Sequence, residues 1–405
     1  MTTRGGMVLW CCVALVLVRV AVVGIALGQD ATDGGRQRVL PGDVRRFHRI
    51  ASLRGTPYAD FAVEYPPITL AAIDALDGGT VRDTTVHVMW SQVALDAVVA
   101  LLLAWGWGRR AALMYLLLGL AFLWYPFLYL RLDLLSVVLA VGGLALARRR
   151  ALTAGGAMVG IACFAKIWPL ALAPMFAARR TWRALGAFLA VALAGMAAWI
   201  SWAGTNGPVQ VLTFRGAPGW QIESTVGAVV HVFAHANARM EQGAARIGVV
   251  PDWARLGLPA LALVGVAGIW WLVRRRPSAP VHVVDGVAPV AAVSALLVGA
   301  TLLSPQYVCW LLPFAAIAAA GGDRLIGWMT ALVAGLSTLD LNLVKEVNSG
   351  LPLPMAVVVL RNALLLALLV AAVVRIVRLA REPAVAPARV ATPVREPALV
   401  PVRVT

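Results

Sequence analysis

Apolar residues along this chain fall in long runs of Ala, Val, Leu and Gly, and the polar residues between them come in bunches rather than in alternation. Runs that are apolar on every side predict helices wrapped in hydrocarbon rather than in water. With about 20 apolar residues needed for one crossing, the candidates are 7–28, 88–107, 111–128, 133–147, 152–165, 167–178, 184–202, 256–273, 287–303, 308–320, 325–340 and 354–374. That makes about twelve transmembrane helices, several of them short enough to predict broken or tilted spans. The first run resembles a signal-peptide core but is too long and lacks an Ala-x-Ala site, so it reads as a retained span.

Arginine clusters orient these spans, because basic residues favour the cytoplasmic ends of membrane helices. With the N-terminus inside, Arg109-Arg110, Arg148-Arg149-Arg150, Arg179-Arg180, Arg274-Arg275-Arg276 and Arg324 all fall on the inner face. A wrong span count would scatter them over both faces. The predicted architecture is therefore an all-α polytopic membrane domain over 1–376, with outer loops at 29–87 and 203–255. A Pro/Arg-rich cytoplasmic tail at 377–405, expected to be disordered, follows.

Within the first outer loop, Val44, Phe47, Ile50, Ala51 and Leu53 recur at helical spacing opposite Arg45, Arg46, Arg49 and Arg54. This predicts a basic amphipathic helix lying in the membrane interface. A second short helix is expected to start at Pro66 or Pro67, carrying Ile68, Leu70, Ala71, Ile73 and Leu76. The second loop contains a helical run carrying His231 and His235. Two histidines at i, i+4 suit a metal, but no third ligand is evident.

Composition agrees with the pattern. Of 405 residues, 61% are hydrophobic and only 13% charged, where a soluble domain carries about 25% charged residues. The net charge of +16 comes as topology clusters with no continuous basic face, which argues against a nucleic-acid partner. Among the basic residues only Lys166 and Lys345 are lysine, a skew typical of a GC-rich genome. Cys11, Cys12, Cys163 and Cys309 sit inside apolar runs as small packing residues. No Walker loop, dinucleotide fingerprint, HExxH or nucleophile elbow is present, which disfavours ATP-driven transport, cofactor-dependent redox chemistry and proteolysis.

Ionisable groups beside a membrane are costly, so those that persist at the outer face are candidates for chemistry. Asp43 is placed as a general base or as the N-cap of the helix that follows. Asp60 and Glu64 read as a carboxylate pair or as solvated turn acids, with Tyr65-Pro66-Pro67 as a rigid stop. Arg131 and Asp133 lie at a tight outer turn, as phosphate ligand or as a snorkelling pair. Lys166 interrupts an apolar bend and calls for a cavity or an anion. Gln221 and Glu223 suit sugar hydroxyls or loop capping. Gln306-Tyr307, Lys345 and Arg361 complete the outer polar set. Asp96 and Arg19 fall inside spans and predict internal partners.

Together these residues resemble glycosyltransferase family 87. The resemblance rests on Gly42-Asp43, Gly55-Thr56-Pro57-Tyr58-Ala59-Asp60, Glu64-Tyr65-Pro66-Pro67, Arg131-Leu132-Asp133-Leu134-Leu135, Ala165-Lys166-Ile167-Trp168-Pro169, Gln221-Ile222-Glu223-Ser224, Ser304-Pro305-Gln306-Tyr307 and Arg361-Asn362, in that order over roughly 10–375. That family, rich in actinobacterial members, has the GT-C fold and includes polyprenyl-phosphate-mannose-dependent mannosyltransferases. The resemblance implies an outward-facing active site, a polyprenyl-phosphate hexose donor, a lipid or glycan acceptor and no obligatory metal or other cofactor. It implies an aspartate base soon after the first span, matched by Asp43 with Asp60 as the alternative. Arg131, Lys166, Lys345 and Arg361 are then donor-phosphate candidates. Glu64, Tyr65, Asp133, Gln221, Glu223, Gln306 and Tyr307 are candidates for contacts with the sugar. The competing class is a polytopic transporter or lipid-linked-sugar flippase, which would be expected to show internal repeats; none is convincing here.

The topology has a direct test. A membrane-impermeant thiol reagent applied to intact cells is expected to label single cysteines engineered within 42–64, Ser52→Cys for one; protection of that segment until the membrane is opened would reverse the assignment.

Overall fold

In a computed structural model, residues 2–32, 42–123, 126–234 and 237–381 are described, and the apolar runs are helical almost throughout. The helices in chain order are α1 (Thr2–Thr32), α2 (Gly42–Ser52), α3 (Pro67–Leu76), α4 (Val81–Trp107), α5 (Arg109–Leu118), α6 (Asp133–Arg148), α7 (Leu152–Ala162), α8 (Ala173–Ala178), α9 (Trp182–Ala203), α10 (Asn206–Leu212), α11 (Thr225–Ala234), α12 (Asp252–Arg274), α13 (Ala288–Gly299), α14 (Leu312–Ala320), α15 (Arg324–Asn342), α16 (Val344–Asn348) and α17 (Pro352–Arg381). Among the described residues, six helical stretches are long and apolar enough to cross a membrane: Gly5–Gln29, Val81–Trp107, Trp182–Ala203, Asp252–Arg274, Arg324–Asn342 and Pro352–Leu379. Their outward residues, Leu193, Leu256, Leu325 and Leu353 among them, are largely exposed, as a lipid-facing surface requires.

Each remaining predicted span coincides with a shorter helix, continued by tight turns or other short helical stretches. Prolines explain the breaks, because a ring without an N–H interrupts the ladder. Pro126 stands at the start of a 3₁₀ turn after α5, Pro169 in the turn Trp168–Leu172 and Pro305 in the turn Pro305–Trp310. The protein is thus an all-α polytopic membrane protein, as its hydrophobic pattern predicts.

Glycines permit a close helix crossing between α6 and α7. A Cβ on Gly143 of α6 would stand 2.7 Å from the Gly155 carbonyl of α7, and one on Gly155 would meet the Gly143 carbonyl at 2.6 Å. Without a hydrophobic drive between helices in lipid, such backbone approach supplies the packing energy.

The ends that the arginine rule assigns to one face do meet. Arg179 pairs with buried Asp285 at 2.9 Å, and Trp107 Nε1 donates to the same carboxylate at 2.8 Å. His282 and Arg375 both hold Asp323, at 2.9 and 2.6 Å. The in-span charges find each other as expected: Arg19 Nε donates to Asp96 at 2.7 Å, joined by the hydroxyls of Tyr129 at 2.8 Å and Tyr115.

Both interfacial helices form, α2 with Val44, Phe47 and Ile50 buried, α3 starting at Pro67. The second loop departs from expectation. Besides α10 and α11 it folds a three-stranded antiparallel sheet, β1 (Trp220–Gln221), β2 (Arg239–Glu241) and β3 (Ala244–Ile247), in the order β1-β3-β2. Gln242 and Gly243, at φ 51° and 83°, make the two-residue turn between β2 and β3. Strands of two to four residues are too short to leave a period in the sequence. The C-terminal helix also reaches Arg381, so 377–381, assigned by composition to the tail, are helical; no proline stands before Pro383 to stop them. The rest of that tail, His235 and loop residues 33–41 lie outside the described residues.

The Arg19–Asp96 pair offers a stability test. Removing one partner of a buried ion pair costs about 3–5 kcal/mol, whereas replacing both with apolar side chains is close to neutral. Asp96→Leu is expected to lower the melting temperature in detergent sharply, and Arg19→Met with Asp96→Leu to recover most of the loss.

Candidate active site

The two prolines Pro66-Pro67 end the extended stretch after Glu64 and open α3 with N–H groups that need outside acceptors. Ile68 N–H finds the Phe164 carbonyl at 3.0 Å, and the Thr69 hydroxyl donates to the Ala165 carbonyl at 2.6 Å. These bonds fasten the first long loop to the bend between α7 and α8, and so place Lys166 beside Tyr65. The Lys166 Nζ lies 5.8 Å from the Tyr65 ring centroid and 5.1 Å from that of Tyr307. It is 3.6 Å from Asp133 Oδ1, which also accepts from Trp310 Nε1 at 3.0 Å. Tyr307 stacks on Trp310 at 4.3 Å.

Around this cation a pocket opens, lined by Asp43, Glu64, Tyr65, Arg131, Asp133, Lys166, Gln306 and Tyr307 from the sequence-derived set. Residues scattered over more than 260 positions thus meet in one cleft. Asp43, in the first turn of α2, pairs with Arg131, whose guanidinium lies 4.1 Å over the Phe127 ring. The Asp43 side chain remains about a quarter exposed, open to a substrate. Glu64 is held differently. Arg46 grips it through two nitrogens, one at 2.5 Å, and Arg215 Nε stands 3.2 Å away. Burial and the Glu64 carboxylate push the Tyr65 phenol well above its usual value, so it stays a hydrogen-bonding hydroxyl.

Other candidates stand elsewhere. Asp60 is exposed and accepts from Thr56 N–H at 2.6 Å, capping the turn after Gly55, whose φ of +108° glycine tolerates. Lys345 is exposed on α16 and does not line the pocket. Arg361 is buried and spent on Asp340 at 2.5 Å and on the Glu223 carbonyl, which Asn362 Nδ2 also reaches at 3.1 Å. Gln221 bonds Glu223 and accepts from Leu303 N–H at 2.7 Å, so this buried group braces the Leu302–Ser304 wall from behind. His231 Nε2 faces the Gly350 carbonyl at 3.4 Å. Among the described residues, no group of three or more His, Cys, Asp or Glu side chains is placed to hold a metal ion.

The sequence reading missed Phe47, Thr69, Arg215 and Arg246, all on the pocket wall. A signal for Arg246 was present: it is a lone cation between Ala244-Ala245 and Ile247, the same oddity that singles out Lys166. The two loops are tied by Gln210 of α10, which donates to the Tyr58 carbonyl at 2.8 Å and accepts from Val63 N–H at 3.0 Å.

Burial and the neighbouring Asp340 raise Glu223 from 4.5 to about 8, against the pull of Arg361. The folded chain therefore keeps a proton there that the unfolded chain releases above pH 4.5. More protons bound in the native state means stability falls as pH rises. Melting temperature is expected to decline between pH 4.5 and about 8 and to level off above, with Glu223→Gln flattening the curve.

The family model described as glycosyltransferase family 87 matches residues 64–305 of the 405. Comparison with curated proteins gives no match. The matched stretch carries Glu64, Tyr65, Arg131, Asp133 and Lys166; Asp43 stands before it, and Gln306 and Tyr307 just after it. A polar cleft at the ends of apolar spans, ringed by family-matched residues, has the form expected of an enzyme that handles sugars at a membrane. With the match covering more than half of its length, this chain belongs to glycosyltransferase family 87 and is a multi-pass membrane glycosyltransferase.

Proposed function

We propose that the protein transfers a hexose from a polyprenyl-phosphate carrier to a lipid or glycan acceptor at the outer face of the cell membrane. The observation that carries this is the convergence of Asp43, Arg131 and Lys166 on one cleft. A carboxylate base and two cations are what such a transfer needs. Mannose is favoured by the resemblance to polyprenyl-phosphate-mannose-dependent enzymes.

The donor's isoprenoid chain stays in lipid while its phosphodiester meets Lys166 and Arg131. Both cations stabilise the charge that grows on phosphate as the bond to the anomeric carbon breaks. Because Arg131 pairs with Asp43, phosphate that draws on Arg131 leaves the Asp43 carboxylate free to accept a proton. The acceptor hydroxyl gives its proton to Asp43, and its oxygen bonds the anomeric carbon from the face opposite the phosphate. Configuration inverts, and polyprenyl phosphate leaves as the anion without needing a general acid. Tyr65 and Tyr307 present ring faces and hydroxyls that suit a sugar, and Gln306, whose Oε1 is buried without a hydrogen-bond partner, adds an acceptor.

The arginine distribution supports the outward orientation, and Phe47, Glu64, Arg215 and Arg246 of the two long loops supply part of the cleft wall. Family membership argues against the transporter alternative, and no specific feature of the cleft favours it.

A general base contributes roughly 10²–10⁴-fold to rate. Asp43→Asn is expected to lower transfer from polyprenyl-phosphate mannose by that order in isolated membranes, with donor binding retained. Lys166→Ala is expected to raise the donor KM more than it lowers kcat. Turnover near the unmodified level in Asp43→Asn would remove Asp43 from the chemistry.

A further inference from the structure

At the far end of α12 from the cleft, three arginines share a cavity. α12 leaves the second long loop at Asp252 and runs 23 residues to Arg274. At 1.5 Å per residue that is about 34 Å, so its last turn stands roughly one hydrocarbon thickness from the loop that lines the cleft. Trp270 Nε1 donates to the Ala171 carbonyl at 2.7 Å, and α12 packs on α8 just beyond it. Arg274 and Arg275 are thereby brought beside Arg180, in the turn between α8 and α9. With Trp271 and Pro277 these arginines line a cavity of about 500 Å³.

No acidic side chain lines this cavity. Among the described residues the acids at this end are Asp285 and Asp323, and both are already answered. Asp285 is held by Arg179 at 2.9 Å and Arg148 at 3.6 Å, and Asp323 by His282 and Arg375. What the cavity arginines meet instead is aromatic. The Arg275 guanidinium lies 3.7 Å over the Trp271 ring, and that of Arg274 5.8 Å from the Trp182 ring. Both indoles are about half exposed, as tryptophans are at the level of lipid headgroups. Helix C-termini favour arginine, but that alone does not gather three around one cavity. Arg180 holds a φ of +57°, the left-handed position after a helix where glycine is usual, as Arg150 does after α6. A β-carbon is strained there, so local structure gives no reason for the Arg180 guanidinium. Val264, Gly268, Trp271 and Arg275 recur at helical spacing along an exposed stripe of α12 that leads to the cavity. A β-carbon on Gly268 would meet nothing within 4 Å, which leaves an open track in that apolar surface.

We infer that Arg180, Arg274 and Arg275 form a binding site for an anionic phospholipid of the leaflet on the far side from the cleft. The headgroup phosphate sits among the three guanidiniums, whose forked N–H donors match its oxygens. One acyl chain runs along the Val264–Trp271 stripe, over Gly268. Basic pockets between helices are a recurrent form of anionic-lipid recognition. A zwitterionic headgroup would bring its own cation to a site that already holds three. Free phosphate would answer the guanidiniums but leave the indoles and the apolar track uncovered. The segment after Arg381 is no substitute, since it carries Arg389, Arg395 and Arg403 against Glu382 and Glu396. The bound lipid ties the α8–α9 turn to the end of α12 and stabilises their packing. The site is independent of which donor and acceptor the cleft takes.

Thermal unfolding of the purified full-length protein in maltoside micelles, titrated with dioleoyl phosphatidylglycerol, tests this. The melting temperature is expected to rise saturably with phosphatidylglycerol, and far less with dioleoyl phosphatidylcholine or with inorganic phosphate. Arg274→Gln with Arg275→Gln is expected to raise the half-saturating lipid concentration roughly tenfold or more. Arg180→Gly is the second variant: it relieves the left-handed strain, so it is expected to keep or raise the melting temperature without lipid while still weakening the lipid response. Arg110→Gln with Arg150→Gln removes two arginines of the same face that do not line the cavity, and is expected to leave the titration unchanged. Equal stabilisation by phosphatidylcholine or by inorganic phosphate would overturn the site. So would an equal loss in the Arg110 and Arg150 variant, or an unmodified lipid response in Arg180→Gly or in the Arg274 and Arg275 variant.

Discussion

A charge placed at the edge of hydrocarbon must find a counter-charge or a hydrogen-bonding partner, because neither lipid nor packed side chains solvate it. This constraint organises the whole protein. Asp96 is answered by Arg19 from another helix, Asp285 by Arg179, Asp340 by Arg361, and Asp133 by Lys166. Each pair joins elements distant in sequence, and each fixes where two helix ends sit. In the cleft pairing is incomplete, with Arg246 and Gln306 keeping buried polar atoms unsatisfied, as Gln92, Trp199 and Ser294 do elsewhere. Incomplete satisfaction at a membrane edge is costly, and a ligand of opposite character relieves it.

The same rule explains why the active cleft is assembled from short, irregular pieces. Long helices satisfy their own backbone and present only side chains to lipid. Turns such as Lys166-Ile167-Trp168-Pro169 expose backbone groups and polar side chains together, and are tolerated only where other protein covers them. Here the covering is α3, whose proline start leaves Ile68 N–H and Thr69 free to bond the Phe164 and Ala165 carbonyls. The interfacial helices do more than lie on the membrane: they close the gap that the broken spans leave.

Much of this was legible in the chain. Twelve apolar runs, arginine clusters on one set of ends and prolines at the breaks define an all-α membrane body. Lys166 and Arg131 stood out because a cation in an apolar stretch needs a reason, and both line the cleft. Arg361 was placed with the outer polar set and the donor-phosphate candidates, yet its partner is Asp340, an internal acid. A sequence shows that a charge must be answered but does not show by what. Asp43 and Asp60 looked alike in the chain; only the fold separates an acid facing Arg131 from one that caps its own turn at Thr56.

Hydrophobic period and charge position are local properties, so the sequence by itself determined the class of fold, the places of the long apolar helices, both interfacial helices and many of the polar residues worth asking about. Tertiary structure alone decided which of them share a cleft, that Gln221 and Glu223 brace its wall, and that Arg215 and Arg246 turn inward from the second loop. The reason is range. Pairing energies depend on distances between separate segments that only the fold brings together, and the small sheet that aims Arg246 is held by cross-strand bonds too brief to mark the sequence.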